Sequence, residues 1–348
     1  MLTTRITDLF GIERPIVQGG LMWIARSELA SAVGNAGGIG FMTALTFPEP
    51  EGLRAEIRKC REMTDKPFGA NVPLMLPGAE KKADILTEEK VPVVNYSLGK
   101  GDRLSSAVHS YGGKIIATVV THKHALAAQR DGADALLVTG HEAAAHGGDV
   151  TSLVLVPSIV NVVDIPVIAA GGFADGRGLA AAITLGAQGI AMGTRFMNTL
   201  ESPVHQKTKQ ASIDKSVHDT IYSHKIDGMA CRAMKSKGVD RLIRDRIPMI
   251  RALFTSRDAT NAFGFPWFKM LLGILAAGWT KSAQLARMAN SYKPIQNSLI
   301  KGDVHNGVLL LGQVTGIVND TPGVSDLIER IIAEAAQVSA QTNQTLQQ

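Results

Sequence analysis

The chain has 348 residues, 45% hydrophobic and 19% charged. That balance excludes a disordered chain and suits one large domain with an insertion, or two modest ones. The net charge of +5 is scattered, and its densest region, Lys207–Arg251, interleaves bases with Asp and apolar residues. Nucleic acid is therefore not expected as a partner, and an anionic cofactor or a basic solvated face fits better.

Cys60 and Cys231 are too few for a disulfide framework and lack CxxC spacing, which points to a reducing cytoplasm. The N-terminal MLTTRITDLFGIERP has no apolar core of a signal peptide. Phe263–Trp279 is the most apolar run, but it contains Pro266 and Lys269 and is short for a span. It reads as a buried or lid helix, and no membrane partner is expected.

The elements follow a regular alternation. Pro15–Gly20 is an apolar run ending in Gly-Gly, and a helix over Arg26–Asn35 is stopped by Gly37-Gly38. Strands are predicted at Ile39–Ala44, Phe68–Val72, Val91–Tyr96, Lys114–Val120, Ala135–Thr139, Pro166–Ala170 and Gly189–Met192. Helices are predicted between them at Glu51–Met63, Glu80–Glu89, Asp102–Tyr111, Lys123–Arg130, Ser152–Val163 and Asp175–Leu185. The strands are apolar throughout, as in a parallel sheet covered on both faces. Eight such units in succession predict an α/β fold, a (β/α)8 TIM barrel, over a doubly wound open sheet. No GxGxxG follows the first strand, which weighs against a Rossmann domain.

After Phe196 the alternation stops. Residues 201–300 are helical in propensity and broken at Pro248, Gly264–Pro266 and Gly278. They are expected to form a helical cap or substrate subdomain inserted after strand eight. The barrel then comprises residues 1–200 plus 301–348, with a final helix over Val324–Val338.

Barrel ligands sit at the C-terminal strand ends. Those ends carry Gln18, Gly19, Gly20, Leu21 and Met22; Asn71; Thr118; and the loop Gly140–Asp149 with His141, Glu142, Ala144, Ala145 and His146. Gln18 reads equally as a satisfied core amide and Asn71 as a strand-end turn residue. Ala170-Gly171-Gly172 and Gly193-Thr194 end adjacent strands, where bare backbone amides can approach a phosphate closely. His146 lies between small residues that leave room for a planar ligand, and histidine titrates near neutral pH, so it is the candidate catalytic base. His141 and His146 lack HExxH spacing, so no metal site is expected. P-loop and GxSxG motifs are absent. Cys60 falls on the apolar face of its helix and reads as packing.

The pieces PIVQGGLMWIARSELASAVGNAGGIG, PFGANVP, GHEAAAHGG, IPVIAAGGFADGRG, LGAQGIAMGTRF and GDVHNGVLLLGQVTGIVND resemble the FMN-dependent nitronate monooxygenases. The resemblance runs from about Phe10 to Phe196 and resumes at Gly302–Asn319. FMN-dependent enoyl-[acyl-carrier-protein] reductases and NADH:quinone reductases share these pieces. The resemblance implies that Gly20-Leu21-Met22 passes beside the isoalloxazine with Gln18 close by, and that Asn71 bonds the flavin. It also implies that Ala170-Gly171-Gly172 and Gly193-Thr194 hold the FMN phosphate, that His146 is the base, and that Gln313 lies near the flavin. The family usually carries Gly-Gly or Ala-Gly before the histidine; Ala144-Ala145 here restricts the backbone of that loop. The implied activity is oxidation of alkyl nitronates with O2 to carbonyl compounds and nitrite. A small-molecule substrate and O2 are the expected partners, with a homodimer as a possible assembly. The alternatives are an NAD(P)H-dependent flavin reductase of quinones or enoyl thioesters, and a non-catalytic flavin- or phosphate-binding protein.

Overall fold

The computed structural model describes residues 2–76, 78–246, 248–252, 255 and 279–347. Eight parallel strands close into a barrel in sequential order. They are β1 (Ile16–Gln18), β2 (Ile39–Thr43), β3 (Gly69–Pro73), β4 (Val93–Ser97), β5 (Lys114–Val119), β6 (Ala135–Thr139), β7 (Val167–Ala170) and β8 (Gly189–Met192). β8 closes on β1 with Gln18 paired to Met192. The predicted TIM barrel is the observed fold.

Side chains alternate along each strand, so one set fills the barrel and the other meets the helices. Val17, Phe41, Val93, Ile116, Leu137, Ile168 and Ala191 form the interior. A helix that the sequence reading did not identify, α1 (Arg5–Phe10), closes this interior with Ile6 and Phe10. Its ends explain it. Thr4 and Thr7 make a reciprocal capping box, and Gly11 ends the helix at φ 64°. The other set packs under α2 (Ser27–Asn35), α3 (Pro50–Met63), α4 (Ala79–Glu88), α5 (Asp102–His109), α6 (His122–Arg130), α7 (Ser152–Val160) and α8 (Gly176–Thr184). Cys60 is buried on α3, where desolvation pushes its thiol up to about 12; it is packing.

The eighth barrel helix comes last, at Val324–Leu346, eight residues longer than expected. Gly176 lets α8 start against it, since a Cβ there would lie 2.4 Å from Ala335 N and 2.5 Å from Ile331 O. The insertion between β8 and this helix contains helices Gln206–Ile213, Lys237–Arg244 and Trp279–Lys301. The all-helical expectation for 201–300 needs one correction: β9 (Thr220–Ser223) and β10 (Cys231–Met234) form an antiparallel hairpin. Lys, Arg and Met favour helix by propensity, whereas pairing across a turn decides the structure of this stretch. The apolar run 263–278 lies outside the described residues. Among those described, no helix is long and apolar enough to cross a membrane.

Candidate active site

The C-terminal strand ends open into a cavity of about 690 Å³. Its floor is polar and its roof apolar. On the floor, Asn71 Nδ2 donates to Asn95 Oδ1 at 2.6 Å, and Asn95 Nδ2 donates to Thr118 Oγ1 at 3.0 Å. The amide of Asn71 is thereby oriented by its neighbour on β4. Asn95 escaped the sequence reading because it sits within an apolar strand rather than at its end. It pairs in register with Asn71, a relation that only sheet pairing reveals.

Gly19, Gly20, Leu21 and Met22 line the cavity beside this ladder. Gly20 has no room for a side chain, since a Cβ would lie 2.6 Å from Asn71 Cβ. Gln18 does not line the cavity. Val17 faces the barrel interior, so Gln18 faces the other way. There it is fully buried, donates to Gly19 O and accepts the Phe41 N–H at 3.1 Å. The placement of Gln18 beside the flavin is corrected to a satisfied core amide.

Ala170, Gly171, Gly172, Gly193 and Thr194 line the opposite side. Gly171 and Gly172 adopt φ 96° and 83°, a conformation that glycine alone takes without strain. Among the described residues, the amides of Gly171, Gly172 and Gly193 have no acceptor within the protein. Three unpaired donors on residues that line one cavity fit an anion such as a phosphate. Thr194 Oγ1 accepts the Gly312 N–H at 3.1 Å, which leaves its hydroxyl proton for a ligand. Gln313 is half-buried and does not line the cavity; its neighbours Gly312 and Val314 do. Its backbone N–H donates to Glu142 O at 2.9 Å, so the returning segment buttresses the β6 loop by main chain.

That loop carries Ala144, Ala145 and His146 into the cavity. Glu142 anchors it at one end, accepting the Ser152 N–H at the start of α7. The hairpin β9–β10 anchors the rest. Ala145 and Arg232 exchange backbone hydrogen bonds of 3.2 and 3.0 Å. The Arg232 guanidinium donates to His141 O through Nε (3.1 Å) and Nη2 (3.0 Å). Tyr222 donates to Gly147 O at 2.9 Å. These bonds hold Ala145 at φ 53°, a left-handed conformation costing an alanine about 1–2 kcal/mol. Trp23 (φ 65°) and Leu98 (φ 53°) share that conformation and also line the cavity, so backbone strain is concentrated there.

His141 and His146 do not converge. His141 Nδ1 meets Gly148 O at 2.9 Å, while His146 Nε2 lies 2.7 Å from Asp227 Oδ2. Asp227, in the hairpin turn, was missed because nothing in its local sequence marks it. It lies 81 residues from the histidine that it contacts.

The roof is one face of the helix Trp279–Lys301. Met288, Tyr292, Ile295 and Leu299 line the cavity, joined by Met229 from the hairpin turn and by Trp23. Trp23 packs edge-on against Tyr292 with ring centroids 5.0 Å apart. An apolar, aromatic roof over a polar floor suits a ligand with a flat polar part and a hydrophobic substrate above it.

The family model described as nitronate monooxygenase matches residues 3–85 and 76–334. The chain belongs to the nitronate monooxygenase family. It is therefore a flavin-dependent oxidoreductase with FMN as cofactor and a small-molecule substrate. Within the curated relatives, it is 37% identical over 341 residues to (3aS,4S,5R,7aS)-5-hydroxy-7a-methyl-1-oxo-octahydro-1H-indene-4-carboxyl-CoA dehydrogenase of Rhodococcus jostii, covering 96% of both chains. It is 29% identical over 284 residues to a probable nitronate monooxygenase of Staphylococcus aureus, covering 68% of this chain and 80% of that one. The solved structure of FabK from Thermotoga maritima superposes with a TM-score of 0.83 at 32% identity, covering 99% of this chain and 100% of that chain.

Proposed function

We propose that this family member is an FMN-dependent dehydrogenase of a carbocyclic acyl-CoA thioester. The observation that carries this reading is the roof. The apolar face of Met288, Tyr292, Ile295 and Leu299 lies in the part of the chain that the full-length match to the indene-carboxyl-CoA dehydrogenase includes. An alkyl nitronate offers too little apolar surface to use such a roof, whereas a fused carbocycle would bury most of its area there.

The cavity fits FMN. The unpaired amides of Gly171, Gly172 and Gly193 would hold its phosphate, and the Gly20 turn and Asn71 would lie along its ring. Bound there, FMN supplies the hydride acceptor. His146 supplies the base: a thioester acidifies its α-proton, and the imidazole removes it. The β-hydrogen would pass as hydride to the bound FMN, leaving a Cα–Cβ double bond. The roof excludes water and orients the acyl ring, while the segment 201–300 serves as the substrate subdomain.

Nitronate oxidation with O2 is the second reading, favoured by the family match over nearly the whole barrel. Anaerobic mixing of the FMN-loaded enzyme separates the two. A bicyclic carboxyl-CoA thioester should bleach the flavin absorbance, and an alkyl nitronate should do so weakly. Bleaching by the nitronate alone would overturn the proposal in favour of the second reading.

A further inference from the structure

Asp227 is 5% exposed, and each of its carboxylate oxygens is engaged. Oδ1 accepts the Met229 N–H at 3.0 Å, and Oδ2 faces His146 Nε2 at 2.7 Å. The Cys231 sulfur completes the group, with all three ligating atoms within 4.8 Å of one another. Burial, and then Asp227 itself, pushes the Cys231 thiol well up, so the sulfur keeps its proton. A metal ion shared by these three is the rival arrangement. Tetrahedral zinc ligands stand more than about 3 Å apart, so the 2.7 Å contact reads as a hydrogen bond.

A carboxylate only accepts hydrogen bonds, so the imidazole must present its N–H at Nε2. The second ring nitrogen then carries the lone pair. We infer that Asp227 is a positioning residue that fixes His146 as the Nε2–H tautomer, making Nδ1 the atom that exchanges a proton with the substrate. Asp227 is not needed to tie the hairpin to the loop. The Ala145–Arg232 backbone pair, the Arg232 guanidinium on His141 O and the Tyr222 hydroxyl on Gly147 O already do so. The role left to it is electrostatic and tautomeric.

The Met229 N–H makes the assignment testable. In Asp227→Asn the amide oxygen is retained by that N–H, which turns the Asn NH2 toward His146 Nε2. That nitrogen must then accept, and the proton moves to Nδ1. Asp227→Ala removes the orienting group without imposing the wrong tautomer. A merely structural role predicts the opposite order, with Ala at least as damaging as the near-isosteric Asn.

The inference rests on His146 being the base proposed above, but its first test does not depend on the substrate. In FMN-loaded protein labelled with ¹⁵N-histidine, the signal lost in His146→Gln identifies His146. The wild type should show the Nε2–H tautomer, and Asp227→Asn the Nδ1–H tautomer. An Nδ1–H signal in the wild type, or no change in the Asn variant, would overturn the assignment. In turnover, kcat for the substrate that the wild type bleaches with should fall about 100-fold or more in Asp227→Asn. It should fall less in Asp227→Ala, with KM and FMN affinity near wild type in both. Equal or greater loss in the Ala variant would refute the tautomeric role. If no thioester or nitronate is turned over, the functional reading fails while the tautomer measurement stands.

Discussion

Arg232→Met isolates what the hairpin does for the catalytic loop. Methionine keeps an aliphatic stem beside the Tyr222 ring but removes the guanidinium, whose carbon lies 5.5 Å from that ring centroid. Three hydrogen bonds disappear: two to His141 O at 3.1 and 3.0 Å, and one to Thr220 Oγ1 at 3.0 Å. The largest cost falls on the His141 carbonyl, which loses two charged donors at once. Arg232 is 3% exposed, so water does not readily replace the lost donors. A buried acceptor stripped of charged donors costs about 2–3 kcal/mol. Ala145 adds a reason for the loop to open, since its left-handed conformation stores about 1–2 kcal/mol that is released on opening. Hydrogen exchange read by mass spectrometry over peptides spanning residues 140–149 measures the effect. A loss of about 3 kcal/mol in local opening energy corresponds to roughly 100-fold faster exchange. Peptides from α3 and α4, distant in sequence, serve as internal controls. Exchange within about twofold of wild type in the loop would refute the claim that the hairpin holds it.

The phosphate cradle and the acid limb of stability make two further predictions. Gly171→Ala places a Cβ 3.1 Å from both Gly140 O and Ser152 Oγ at a backbone φ of 96°, so FMN affinity measured by flavin fluorescence should fall at least about tenfold. Unchanged affinity would remove Gly171 from the cradle. Burial pushes the Asp320 carboxyl up, but hydrogen bonds from Arg330 and Arg195 outweigh it and hold the group below the ordinary carboxylate range. A depressed native value stabilises the fold above the unfolded value of about 3.9 and is lost as pH falls through the native one. Asp320→Asn should therefore lower stability at pH 7 and narrow its gap to wild type as the pH drops below about 4. A gap that stays constant with pH would contradict this.

The barrel was legible because its evidence is local. Each apolar run followed by glycine and a helical stretch reads as one βα unit, and right-handed crossovers leave a parallel sheet few ways to arrange eight of them. The glycines at the ends of β7 and β8 were legible for a similar reason: a close backbone approach requires a residue without a side chain. The resemblance then joined these pieces to FMN and to His146.

Other features depended on which residues meet across the closed structure. Gln18 looked like a site residue at a strand end, but strand periodicity turns it away from the cavity. Asn95 lies within an apolar strand, and only register sets it against Asn71. The short α1 takes its purpose from the barrel interior, which its Ile6 and Phe10 close. Asp227 and Arg232 sit in a basic stretch with no motif, and their meaning exists only where the hairpin folds back on the His146 loop. Sequence alone determined the fold class and the candidate base, since propensity, glycine freedom and motif spacing act over a few residues, and the family resemblance implied the cofactor. Tertiary structure alone decided which partner orients that base and what roofs the cavity, because a hydrogen bond spanning 81 residues depends on how the whole chain closes.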